Sequence, residues 1–124
     1  LIIASIIEKE TYLRAEKSII SGVFSNRLKK KMRLQADPTV IYGLGDNFDG
    51  DIRTKDLKTD NPYNTYTRNG LPPTPIALPS ESSIRAAMRP TETSALYFVA
   101  KGDGTHQFSD NLKAHNRAVR KYQR

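Results

Sequence analysis

Two glutamates, Glu8 and Glu10, close the otherwise apolar opening run LIIASIIEKET. A carboxylic acid held protonated near neutral pH can give its proton to a leaving oxygen and later take one back. Successive helical residues advance by about 100°, so Glu8 and Glu10 project to nearly opposite sides and cannot both line one cleft wall. Glu10 shares its side with Ile3, Ile6 and Ile7, whereas Glu8 falls with Ala4 and Thr11. Apolar surroundings disfavour the charged carboxylate and raise its pKa, so the geometry favours Glu10 as a general acid. The alternative is a structural salt bridge from Glu10 to a nearby Arg or Lys.

Three further groups hold polar side chains next to apolar ones. PYNTY, Pro62 to Tyr66, sets Tyr63 and Tyr66 around Asn64 and Thr65. Flat apolar faces beside hydrogen-bonding groups suit sugar rings, although both tyrosines could instead pack the loop onto the core. RLQADPT, Arg33 to Thr39, offers Gln35 and Asp37. Asp37 is open to three roles: second catalytic carboxylate, acceptor lining a cleft, or N-cap of a helix with Pro38 at its first position. His106 and His115 lie on different elements without a two-ligand motif, so a core or supporting role outweighs a zinc site. No metal or cofactor is expected.

These residues need elements to hold them. Apolar spacing predicts helices over Leu1–Tyr12 and Ala15–Lys31, and a short helix after Asp37. A further short helix is expected from Thr54 as N-cap, and another over Glu81–Met88 capped by Ser80 and stopped by Pro90. Leu96–Ala100 and Thr105–Phe108 flank Gly102-Asp103-Gly104 and predict a β-hairpin. Ser109 is then expected to cap a last helix with the stripe Leu112, His115, Val119, Tyr122. Between them, Thr59–Pro79 carries five of the seven prolines and no periodicity. Its tyrosines and aliphatics argue against disorder, so it is expected to be an ordered wall of a cleft. The expected fold is a mainly helical α+β single domain over residues 1–124.

The 124-residue chain lacks cysteine, which excludes disulfides and thiol nucleophiles. Its formal charge of +7 favours an anionic partner. Only Lys29–Lys31 and Arg117–Arg124 cluster, however, and both runs fall toward helix C-termini. No apolar stretch is long enough to span a bilayer. The chain starts inside a helical pattern without Met, so a fragment of a longer protein is expected.

Together ASIIEKET, FSNRLKKKMRLQADPTVIYGLG, YNTYTRNGLPPTPIALPS and LYFVAKGDGTHQFSDNLKAHN resemble, in order, the catalytic domain of the MltG (YceG-like) endolytic murein transglycosylases. The resemblance implies an enzyme that cuts peptidoglycan glycan strands, held at the extracytoplasmic face of the bacterial inner membrane. It also implies an N-terminal transmembrane helix and a LysM-like region, neither of which this chain contains, and the cell-wall synthesis machinery as a further partner. The family's catalytic glutamate, the second of EKE, maps to Glu10. Glu10-Thr11 is similar to the Glu-Ser pair of lysozyme-like lytic transglycosylases, whose glutamate ends a helix flooring the glycan cleft. Gln35, Asp37, Tyr63, Asn64, Thr65 and Tyr66 are expected to bind substrate. No second carboxylate is then required, because the muramic acid's own C6 hydroxyl attacks C1 and closes a 1,6-anhydro ring. The competing readings are a hydrolytic muramidase using Asp37, and a noncatalytic module binding cell wall or nucleic acid. Only net charge supports nucleic acid, since no recognisable motif for it is present.

Overall fold

The computed structural model describes residues 1–122. Helix α1 spans Ile2–Glu10, α2 Arg14–Lys29, α3 Asp37–Leu44, α4 Thr54–Lys58, α5 Glu81–Met88 and α6 Leu112–Tyr122. Strands β1, Tyr97–Ala100, and β2, His106–Ser109, form an antiparallel hairpin. This is the mainly helical α+β fold expected. Arg124, the end of the C-terminal basic run, lies outside the described residues.

The isoleucine pattern of α1 becomes the centre of the molecule. Ile6 and Ile7 are fully buried and pack with Ile20 and Phe24 of α2, Leu34, Ala36, Ile76 and Ala86 of α5. Helix α1 ends because Thr11 is extended, with φ −151° and ψ 147°. The Thr11 hydroxyl accepts from the Leu13 N–H at 3.1 Å and turns the chain toward α2. Glu10 is therefore left on the last helical turn, at the rim of the core. Gly22 of α2 permits a close crossing: a Cβ there would sit 2.4 Å from the Thr91 carbonyl. That segment is stitched to α2 by the Thr91 N–H donating to the Ser18 carbonyl at 2.9 Å.

Strand pairing runs from Tyr97 opposite Ser109 to Ala100 opposite His106. Gly102 and Gly104, with φ 92° and 94°, supply the left-handed backbone that the connecting turn needs. Helix α6 packs on both strands.

Three capping expectations are corrected. Ser109 is the last strand residue, and Asn111 Oδ1 instead accepts the Ala114 N–H at 2.8 Å at the start of α6. Thr54 is already helical, and Asp56 takes the Arg53 N–H at 2.9 Å. Asp37 begins α3 with Pro38 second, and its side chain caps nothing. Ser80 does cap α5, accepting the Ser83 N–H at 3.4 Å.

The proline-rich segment is ordered by side chains reaching into it. The Ile76 N–H donates to Ser5 Oγ at 3.0 Å, and Asp60 holds both Thr67 and Arg68. Among the described residues no helix is long and apolar enough to cross a membrane.

Candidate active site

The opposed faces of α1 give its two glutamates different surroundings. Glu8 turns to α5, where its Oε1 accepts from the Ser80 N–H at 2.9 Å and the Ser83 hydroxyl at 2.7 Å. The buried Lys17 ammonium stands 3.6 Å away and also donates to the Ser80 and Ser82 hydroxyls. Those hydrogen bonds, with Lys17, hold the Glu8 carboxyl down at about 2. The structural ion pair weighed for Glu10 therefore belongs to Glu8.

Glu10 faces the other way, into an open cleft of about 350 Å³. Among the described residues it has neither a hydrogen bond nor an ion pair. Burial, and then the negative charge of Asp37, push its carboxyl up to about 8. Partial burial removes some of the water that would stabilise the anion, which favours the neutral acid. Glu10 is thus a protonated carboxylic acid at neutral pH, and Arg27 across the cleft spends its guanidinium on the Leu96 and Arg33 carbonyls.

Gln35, Asp37 and Tyr66 line the same cleft. The start of α3 carries Asp37 to it, where Oδ1 accepts the Tyr66 hydroxyl at 2.5 Å. Burial and Asp37 together raise the Tyr66 pKa, so the phenol keeps its proton. Gln35 adopts φ 51°, a costly conformation for a non-glycine residue, and its N–H donates to the Thr65 carbonyl at 3.2 Å.

Asn64 and Thr65 do not reach the cleft. Asn64 is completely buried, donates to the carbonyls of Asp56, Leu57 and Thr59, and accepts the Tyr66 N–H at 2.8 Å. Thr65 Oγ1 accepts the Ala36 N–H at 2.9 Å and meets the Thr39 hydroxyl at 2.8 Å. Their hydrogen bonds are used within the protein: both hold the loop and the start of α3. Tyr63 lies against the core and Tyr42, with its hydroxyl on Thr74, away from the Glu10 cleft.

Sequence reading missed the cleft residues of the far wall. Arg27, on α2 at helical spacing from Val23 and Phe24, is nearly buried. Its Nε donates to the Leu96 carbonyl at 2.6 Å, and its Nη1 to the Arg33 carbonyl at 2.7 Å. A cation continuing an apolar stripe was the available signal. Neither histidine was assigned to the cleft, yet both line it. His106 Nδ1 is 2.8 Å from Glu16 Oε1. His115 stacks on Tyr97 at 4.9 Å, and its Nδ1 is buried without a partner among the described residues. Burial and the Arg27 charge push the His115 pKa down. No group of three or more candidate metal ligands occurs among the described residues.

Fold and cleft together define a helical α+β domain that sets Glu10, an acid with neither hydrogen bond nor ion pair among the described residues, in an open groove. The chain belongs to the YceG-like family, whose model matches residues 1–121. It is 50% identical over 122 residues to an endolytic murein transglycosylase of Bacillus subtilis, covering 98% of this chain and 34% of that protein. A Streptococcus pneumoniae protein of the same name is 36% identical over 124 residues, with 96% of this chain and 22% of that protein covered. The chain thus spans about a third or less of these relatives. The crystal structure of a YceG-like protein from Listeria monocytogenes superposes with a TM-score of 0.87 at 47% identity, covering 94% of this chain and 38% of that one.

Proposed function

We propose that this chain is the glycan-cleaving domain of a peptidoglycan lytic transglycosylase, with Glu10 as its single general acid and base. The observation that carries the reading is the Glu10 carboxyl in an open cleft, without an ion pair among the described residues and raised to about 8. It is supported by the names of the relatives, which are murein transglycosylases.

In the first step Glu10 protonates the oxygen of a MurNAc-GlcNAc β-1,4 bond, and the C1–O bond breaks with oxocarbenium character at C1. The muramic acid C6 hydroxyl then attacks C1, and the Glu10 carboxylate takes its proton. The products are a 1,6-anhydro-muramyl end and a free 4-hydroxyl, with Glu10 again protonated. Holding the C6 hydroxyl within the same sugar replaces water by an intramolecular nucleophile with a large effective-molarity advantage. α1 serves as the lysozyme-like catalytic helix, with Glu10 on its last turn. The basic surface would favour strands whose stem peptides carry carboxylates. The working place is the bacterial cell envelope, at the outer face of the membrane, in partnership with wall synthesis.

A second reading, hydrolysis with Asp37 activating water, draws on Asp37 lining the same cleft. Mass spectrometry of products from purified glycan strands separates the two. Anhydro-muramyl ends support transglycosylation; reducing muramic acid ends would replace it with hydrolysis.

A further inference from the structure

We propose that Asp37, oriented by the Tyr66 hydroxyl, is the fixed negative charge that faces the positive sugar ring in the transition state, beside the proton transfer made by Glu10. This rests on the glycan-cleaving reading and assigns a catalytic role to Asp37 and a positioning role to Tyr66.

The first support is that Asp37 is spent on nothing else. It occupies the first turn of α3, where a carboxylate commonly caps, yet it accepts no backbone N–H there. Among the described residues its one side-chain partner is the Tyr66 phenol, and it has no ion pair. The nearby guanidinium of Arg27 is directed instead to the carbonyls of Leu96 and Arg33 and to Gln35 Oε1 at 3.4 Å. An uncompensated carboxylate thus stands in the same cleft as a neutral acid.

The second support is the mounting. Tyr66 is tied by its N–H to the buried Asn64, which grips three carbonyls around the end of α4. Thr65 clamps the Ala36 N–H and the Thr39 hydroxyl on either side of Asp37. Loop and helix are therefore strapped together on both flanks of the Asp37–Tyr66 contact, and Pro38 stiffens the backbone after it. Fixed charges aimed at developing charge stabilise a transition state without reorganising during the reaction. Asp37 is exposed in the free cleft. A sugar seated on it would displace water and strengthen its field.

Other charged or titratable groups also face Glu10. They are Arg27 from α2, Tyr66 from the loop, His106 from β2 with its partner Glu16, and His115 from α6. Among the described residues none of these supplies an unpaired carboxylate as Asp37 does, so removal of Asp37 has a directional signature. In Asp37→Asn, Glu10 should ionise at lower pH. The alkaline limb of kcat on glycan strands should then move down by on the order of half a pH unit. kcat should fall about 10- to 100-fold, with KM changed less than about threefold. Tyr66→Phe keeps the charge but frees it to rotate. It should lower kcat several-fold and leave the limb near that of the wild type, and it serves as the second variant if Asp37→Asn does not fold.

An Asp37→Asn variant with kcat within about twofold of the wild type overturns the proposal. So does a lost kcat with an unmoved limb, which would mark a purely structural residue. Reducing muramic ends that vanish in Asp37→Asn would overturn it in favour of a water-activating base. A titration of Glu10 by carboxyl NMR in wild type and Asp37→Asn needs no substrate. It therefore tests the charge coupling even if the wild type releases no anhydro ends, a result that would instead refute the functional reading.

Discussion

Replacing Glu10 by Gln should make the protein more stable, and by an amount that depends on pH. In the folded chain Glu10 keeps its proton up to about 8, against 4.5 for a free side chain. Between those values the unfolded chain releases the proton and the folded chain does not. Native stability, fully present below about 4.5, is therefore lost as pH rises to about 8. Each tenfold change in proton affinity is about 1.4 kcal/mol, so the ceiling for the whole interval is on the order of 4 to 5 kcal/mol. The cleft is open to water, which screens the anion and reduces the realised cost to about 1–3 kcal/mol. Glutamine keeps the shape and cannot ionise. Urea unfolding of both proteins from pH 4 to pH 8.5 measures the difference, in which every other titrating group cancels to first order. The two should coincide at pH 4 and diverge steadily above it, with Glu10→Gln the more stable. A difference that is flat with pH, or a variant less stable at pH 8, would refute the assignment of Glu10 as a half-buried neutral acid.

Glu8→Gln should do the reverse. Glu8 is held down at about 2, so its stabilisation is present above about 4.5 and lost as pH falls toward 2. Its removal leaves Lys17 short of a partner and should cost about 1–3 kcal/mol at pH 7 by denaturant unfolding, while turnover per folded molecule stays near the wild type. Asn64→Ala deletes a fully buried side chain holding three carbonyls and one N–H, and should lower stability by about 2–4 kcal/mol in the same assay. Gly22→Ala forces a methyl to 2.4 Å from the Thr91 carbonyl, and α2 and that segment must separate. A loss of about 1–3 kcal/mol is expected, read as a lower thermal midpoint.

Much of this architecture is legible in local pattern. Isoleucines at helical spacing announce α1, and two apolar runs around Gly-Asp-Gly announce the hairpin, because these signals depend on near neighbours in the chain. The separation of Glu8 from Glu10 is equally local, since helical geometry alone puts them on opposite sides. The fate of PYNTY was not legible. Asn64 and Thr65 look like sugar-binding groups by type, but their partners are the α4 carbonyls, Ala36 and Thr39, contacts set by how the loop folds back. Arg27 and the two histidines enter the cleft only because α2, the hairpin and α6 converge there. Caps were displaced by a residue or two where several Ser, Thr, Asp and Asn side chains compete within one turn. Asp37 was the instructive case: a cap by composition, yet bonded to Tyr66, 29 residues away.

The central claim is that Glu10 transfers the proton in an intramolecular glycan cleavage. Its most direct test is mass spectrometry of anhydro-muropeptides released from the same purified strands by wild type, Glu10→Gln and Glu8→Gln. The wild type and Glu8→Gln should release anhydro-muramyl ends. Glu10→Gln should fall by at least about 100-fold, the usual scale for a general acid–base group. An active Glu10→Gln beside an inactive but folded Glu8→Gln would contradict the account.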